Sequence, residues 1–339
     1  MRGVEMTCDR SFDEAMDYDE CRYEGSAQIF RGQNSGSRPA KAKAAQGPPP
    51  MRSAGTGQEV AFVGAAMFYG RCVPRPLPDL VAEGLGVPTV NLAIHNAGLD
   101  VFLRDGAVID ICRRSRATVI QVLGAANMSN RLYTVHPRRN DRFLEATDAL
   151  RALYHDVDFT EFNFTQHMLR SLWERCPKRF GAIEHELQAA WTARMRLLLD
   201  RIGGRITLLW MSEAPCAAQI APADRWRSPL FVTAGMVAAL RKEVSDLRIC
   251  RISATARATQ AQGMMVGPDD ARMAARLVGP SAHREAAAHI IDSLADLGAG
   301  TQAGPPRGAD PQIRSSLIRP DQSFSTSSGT AVKRSATSP

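Results

Sequence analysis

The chain has 339 residues, 44% of them apolar, and carries a formal net charge of +7. An apolar fraction of that size is ordinary for a globular protein with a sizeable buried core. The charge is confined to residues 33–58, with Arg38, Lys41, Lys43 and Arg52 and no acid, and to residues 301–339, with five basic and two acidic side chains. The rest is formally neutral, which excludes a basic nucleic-acid face on the folded part.

Taken in chain order, residues 1–32 contain no long apolar run, and residues 33–58 are rich in Gly, Pro, Ser, Ala and Lys with a Pro48-Pro49-Pro50 run. Such a segment buries too little apolar surface to offset its ordering entropy, so it reads as a disordered linker. Val60-Ala61-Phe62-Val63, closed by Gly64, reads as a buried strand. A short helix over residues 78–85 follows, then a strand over residues 89–92 and a helix over 105–113. Ala117 to Leu123 is β-branched, ends at Gly124, and is the strongest strand pattern in the chain. Helices are expected over most of residues 142–202. There Phe180, Ile183, Leu187, Trp191, Met195 and Leu198 recur at helical spacing and form one apolar stripe. Gly203-Gly204 ends it. Strands over 206–211 and 247–252 flank a helix over 232–244, and a last helix runs over 282–297. Residues 300–339 read as a disordered tail.

Alternating strands and helices predict an α/β fold: a three-layer domain over residues 59–299, with a central parallel sheet and a helical insertion after the third strand. In such sheets ligands bind at the carboxyl ends of the strands. The seven cysteines are odd in number and scattered, without a CxxC pair or a zinc-like Cys/His spacing. No metal and no cofactor are expected, and a reduced, cytoplasmic setting fits. The acidic N-terminus lacks the apolar core of a signal peptide. No apolar run reaches the roughly 18–20 residues of a membrane span. Neither a membrane nor a nucleic acid is an expected partner.

The strand ends carry the candidate chemistry. The first exits into Gly64-Ala65-Ala66 with Gly70 beyond, the second into Asn91-Leu92-Ala93 and Asn96-Ala97-Gly98, and the third into Gly124-Ala125-Ala126-Asn127. His283 stands near the start of the last helix. This arrangement resembles the SGNH (GDSL-type) hydrolases, whose G-D-S block follows an apolar strand. The resemblance implies an SGNH/flavodoxin-like layout in which Asn127 donates to an oxyanion and His283 is the base. It departs from the family pattern at three points. Ala65 and Ala66 stand in place of Asp and the nucleophilic Ser, Ala93 replaces a glycine, and Pro280 stands where the Asp three residues before His283 belongs. Alanine has no lone pair with which to attack, so serine-type hydrolysis is not expected. Removing a triad nucleophile costs on the order of a millionfold in turnover.

A closer resemblance is to a bacterial domain family without assigned chemistry. It rests on Cys21-Arg22-Tyr23-Glu24-Gly25-Ser26, on the segment from Gly124 to Arg131, and on Tyr133-Thr134-Val135-His136-Pro137-Arg138-Arg139-Asn140-Asp141-Arg142-Phe143. It implies that residues 1–32 pack onto the domain.

Each candidate has a plainer reading beside it. Asn127 suits a turn as well as a ligand. His283 suits a packed helix start, with His289 a partly buried neighbour. Arg131, His136, Arg138, Arg139 and Arg142 suit the recognition of phosphate, sulfate or carboxylate, or else a solvated loop paired with Asp141, Glu145 and Asp148. Asn96 joins them as a candidate ligand-binding residue. Cys21-Arg22-Tyr23 reads as structural, and Trp191 and Trp210 as core. Three functions remain open: an SGNH-like enzyme with a rearranged catalytic set, a non-catalytic module binding an anionic small molecule, and a transferase that clamps phosphate or sulfate with its arginine loop.

Overall fold

In the computed structural model, residues 20–31, 51–52, 56–266 and 274–299 are described, and all belong to one unit. Five strands form the central sheet: β1 (Val60–Val63), β2 (Thr89–Asn91), β3 (Ala117–Gln121), β4 (Ile206–Ser212) and β5 (Asp246–Arg251). All neighbouring pairs are parallel, in the order β2-β1-β3-β4-β5. This is the flavodoxin-like doubly wound order, in which the chain reverses its direction of travel between β1 and β3. Every residue of β1, β2, β3 and β4 is buried, as expected of strands covered on both faces. The edge strand β5 is only partly covered, and its Ile249 is 47% exposed.

Alternation along the strands divides the core into two layers. Ala61, Val63, Ile120 and Leu208 face one cluster with α2 (Gly106–Arg114) and with the long helix α4 (Pro177–Ile202), which follows α3 (Thr165–Arg175). Val60, Phe62, Val119 and Leu209 face the other, against α1 (Leu77–Leu85) and α5 (Pro280–Ser293). The three-layer α/β expectation therefore holds, and the helical insertion lies between β3 and β4.

Local chemistry sets the element ends. The Asp105 carboxylate accepts the Ala107 and Val108 N–H groups at 3.1 and 3.3 Å and starts α2. Pro177 occupies the first turn of α4, and Gly203, at φ 61°, stops it. The whole apolar stripe from Phe180 to Leu198 is buried.

Two expected helices are shorter than the sequence pattern suggested. Residues 142–147 are not helical: Tyr133–Val135 and Phe143–Ala146 pair as an antiparallel hairpin. The buried Asn140 shapes its turn, accepting from the Gly98 and Val101 N–H groups and donating to the His136 carbonyl. Over residues 232–244 only Ala234–Ala238 is α-helical, because the Thr233 hydroxyl caps the Met236 N–H and starts the helix there.

The N-terminal motif packs onto the domain. Glu20–Tyr23 pairs antiparallel with Phe30–Arg31 and parallel with Met51–Arg52. The expected linker is thus ordered at Met51 and Arg52, while residues 33–50 and 53–55 and the expected tail lie outside the described residues. Cys21, Tyr23 and Phe30 join the core. The Arg31 guanidinium, also buried, donates to the carbonyls of Tyr69, Gly70 and Val73.

Candidate functional site

The exits of β1 and β3 meet at the switch point and border a cavity of about 230 Å³. Its walls are Ala65, Ala66 and Met67 after β1, Asn96 and Ala97 after β2, and Gln121, Leu123, Gly124, Ala126 and Asn127 at the end of β3 and beyond it. Ser228 and Leu230 from beyond β4 and Arg276, Leu277 and Val278 ahead of α5 complete it.

The walls come together because backbone approaches backbone. A Cβ on Gly64 would stand 2.8 Å from the Gln121 side-chain oxygen and from the Phe68 ring. A Cβ on Gly98 would overlap the Asn127 carbonyl, so β2 and β3 could not meet there with any larger residue. Gln121, at the end of β3, is 3% exposed and accepts the Ala65 N–H through Oε1 at 2.9 Å. Asn91 donates to the Phe68 carbonyl and accepts the Ala93 N–H, which ties β2 to the turn after β1. Asn96 has left-handed backbone, φ 57°, which asparagine tolerates, and its Nδ2 donates to Asp141 Oδ2 at 3.3 Å. Burial raises the pKa of that Asp141 carboxyl, with the charges of Arg139 and Arg142 opposing the rise.

Of the candidate residues, Ala66, Asn96 and Asn127 do share this cavity. The Asn127 side chain is mostly occupied in bracing it: Nδ2 donates to the Asn96 carbonyl at 3.3 Å and Oδ1 accepts from the Thr165 hydroxyl at 2.8 Å.

His283 does not border the cavity. It is the fourth residue of α5, 0% exposed, and its Nδ1 accepts the Leu77 N–H of α1 at 2.9 Å. Burial, reinforced by the charge of Arg31, pushes its pKa down to about 3, so the imidazole is neutral. The physical reason for the displacement is one turn of helix. Gly279 and Pro280 begin α5, so the segment reaching the cavity ends at Val278, while His283 lies on the face packed against α1. A proline at the first helical position marks that start in the sequence and was the available signal.

The arginine loop does not form a clamp around this cavity. Arg131 forks onto Glu186 of α4, with Nε 2.8 Å from the carboxylate. His136 holds the loop's own backbone, its Nδ1 accepting the Arg138 and Arg139 N–H groups at 3.2 and 3.1 Å. Arg142 lies 4.1 Å over the Phe164 ring. Arg138 and Arg139 are exposed. None of the five borders the cavity. The solvated-loop alternative is corrected at Arg131, whose partner is Glu186 and not Asp141, Glu145 or Asp148; the charges of Arg139 and Arg142 do act on Asp141.

Sequence reasoning passed over Gln121, Arg276 and His95. The His95 imidazole stands edge-on to Tyr69 at 6.2 Å, and burial, with Arg71 adding to it, pushes its pKa down to about 4. Among the described residues there is no cluster of three or more His, Cys, Asp or Glu able to hold a metal ion. No helix among them is long and apolar enough to cross a membrane.

No curated protein matches the chain in sequence at a significant level. Several solved structures are similar to it, among them the following three. A carbohydrate esterase family 2 enzyme with a carbohydrate-binding domain, from Corynascus thermopiles (Myceliophthora fergusii), is 14% identical at a TM-score of 0.38, over 79% of this chain and 72% of that one. A catalytic mutant of the acetylxylan esterase Axe2 from Geobacillus stearothermophilus is 14% identical at a TM-score of 0.38, over 71% and 95%. A lipase, Lip_vut3, from a goat rumen metagenome is 12% identical at a TM-score of 0.30, over 68% and 98%. A family model described as a domain of unknown function (DUF6473) matches residues 6–298, and the chain belongs to that family.

Proposed function

We propose that this protein is a ligand-binding module built on an SGNH-like α/β scaffold, and that it does not perform serine-type ester hydrolysis. The observation that carries this reading is the composition of the switch-point cavity. Alanines 65 and 66 occupy the strand exit where the hydrolase pattern puts its Asp and Ser, and the one imidazole expected there is buried behind α1. An acyl-transfer site requires a nucleophile, a base within hydrogen-bond reach and aimed oxyanion donors. Here the described walls supply amides, apolar side chains, one guanidinium and the Ser228 hydroxyl, and no histidine stands among them to act as its base. They form a preformed concave site with a few polar groups, which is the usual make-up of a binding pocket.

The test has two arms. Purified protein is assayed with p-nitrophenyl acetate and butyrate, and background rates are expected. Ala66→Ser is expected to stay at background too, because a hydroxyl without a base remains a poor nucleophile. Wild-type turnover well above background that Asn127→Ala abolishes would overturn the reading. In the second arm, a small-molecule library is screened by ligand-observed NMR, with binders expected to be displaced by Ala66→Trp, which fills the cavity.

A further inference from the structure

Resting on that reading, the geometry points to the class of ligand: an organic monocarboxylate with a short apolar body, its charge met by Arg276 and its oxygens by the amides of Gln121 and Asn127. Gln121 carries the argument. Its Oε1 is committed to the Ala65 N–H, which fixes the orientation of the amide. The NH2 is therefore left on the cavity wall with no partner among the described residues, a donor waiting for an acceptor. Asn127 is oriented in the same sense. Its Oδ1 takes the Thr165 hydroxyl and one N–H goes to the Asn96 carbonyl, so the second N–H remains. Arg276 borders the same cavity and makes no ion pair or hydrogen bond with any described residue.

All three groups are donors, the other polar side chains on the wall are the Ser228 hydroxyl and the Asn96 amide, and none of the described residues lining the cavity is acidic. The Asp141 carboxylate is bonded to Asn96 and does not border the cavity. An excess of donors with one positive charge fits an acceptor-only group bearing one negative charge, which is a carboxylate. A phosphate dianion would leave half its charge unmatched. Met67, Ala97, Leu123, Leu230, Leu277 and Val278 give the rest of the wall an apolar surface that suits a hydrocarbon body. The volume of about 230 Å³ exceeds the ~150 Å³ of a cavity that holds benzene, so a benzoate- or hexanoate-sized ligand matches it.

Isothermal titration of the full chain with benzoate and hexanoate, and with benzamide and hexanamide as neutral isosteres, tests the assignment. The acids are expected to bind at least about tenfold more tightly than the amides. Arg276→Ala, a change at an exposed side chain, should erase that preference by bringing the acids down to the affinity of the amides. Gln121→Glu keeps an oxygen for the Ala65 N–H and replaces the donor by a second oxygen, and should weaken the acids further. Equal binding of acid and amide in wild type, or a preference that survives Arg276→Ala, overturns the assignment but leaves the binding reading intact. Phenyl phosphate binding more tightly than benzoate overturns the carboxylate in favour of another anion. If none of these compounds binds and the library screen is also blank, the binding reading itself fails.

Discussion

At the scale of single residues, His283 shows how a recognisable chemical group can be turned to structural use. A neutral imidazole that accepts a backbone N–H inside the core stabilises the fold only while it stays uncharged. Its pKa falls from an ordinary 6.5 to about 3 in the native chain. Above pH 6.5 the native and unfolded states are both neutral, and the contribution is complete. As the pH falls below that, the unfolded chain takes up a proton that the native chain refuses, and stability drops by about 1.4 kcal/mol per pH unit. The loss ends near pH 3, where the native imidazole also titrates. His283→Asn keeps an acceptor for the Leu77 N–H but does not titrate. In urea denaturation, the stability advantage of wild type over His283→Asn is expected to shrink by about 2 kcal/mol between pH 6.5 and pH 5. An advantage that does not change with pH would show that the native His283 imidazole titrates as it does in the unfolded chain. Arg31 is used in the same structural way, as a buried cation spread over three carbonyls of the loop after β1. Arg31→Met would leave those acceptors unpaired, and a loss of about 3 kcal/mol is expected by the same measurement.

At the scale of elements, the cavity exists because strand exits approach more closely than side chains normally permit. Gly84 and Gly98 separate two kinds of close contact. A methyl at Gly84, inside α1, meets only the flexible end of Ile291 on α5, and alanine there also favours the helix. A methyl at Gly98 meets the backbone carbonyl of Asn127, a residue pinned by its side-chain bonds to Asn96 and Thr165. Gly84→Ala is therefore expected to change stability by less than about 1 kcal/mol, and Gly98→Ala to cost more than about 3 kcal/mol. Thermal unfolding followed by circular dichroism reads both, and comparable effects would mean that the β2 exit is free to shift. Much of this layer was legible in the sequence. Strands buried on both faces read as continuous apolar runs, and the stripe on α4 has a helical period that no strand shares. The hairpin of residues 133–146 was not legible, because Asn140 forms it through partners at residues 98 and 101 that only the fold brings near. Gln121 was hidden for a related reason: within Ala-Thr-Val-Ile-Gln it reads as one more strand residue. Arg276 reaches the cavity only because β5 and α5 return the chain to the switch point.

At the scale of the whole molecule, the N-terminal motif is a structural part of the α/β domain although it adds no strand to the central sheet. Cys21, Tyr23 and Phe30 belong to the core cluster on the α2 and α4 face, and the Ser26 hydroxyl donates to the Asp105 carboxylate that caps α2. Arg31 reaches the other way, to the loop between β1 and α1, so the motif ties together segments on both sides of the sheet. Burying each aromatic contributes roughly 1.5–3 kcal/mol, and losing the Arg31 contacts adds about 3 kcal/mol. The total is about 6–9 kcal/mol, comparable with the roughly 5–15 kcal/mol that holds a domain together. A chain beginning at residue 51 is therefore expected to lack a cooperative unfolding transition, where the full chain shows one. Adding a synthetic peptide of residues 17–32 in excess should restore the transition with a midpoint that rises with peptide concentration, because a partner bound only by the folded state stabilises it by mass action. The same peptide carrying Arg31→Ala should restore it less well at every concentration. If the truncated chain instead unfolds cooperatively at the temperature of the full protein and ignores the peptide, the motif lies on the domain without supporting it, and the position of the β1 exit beside the cavity is set by the sheet alone.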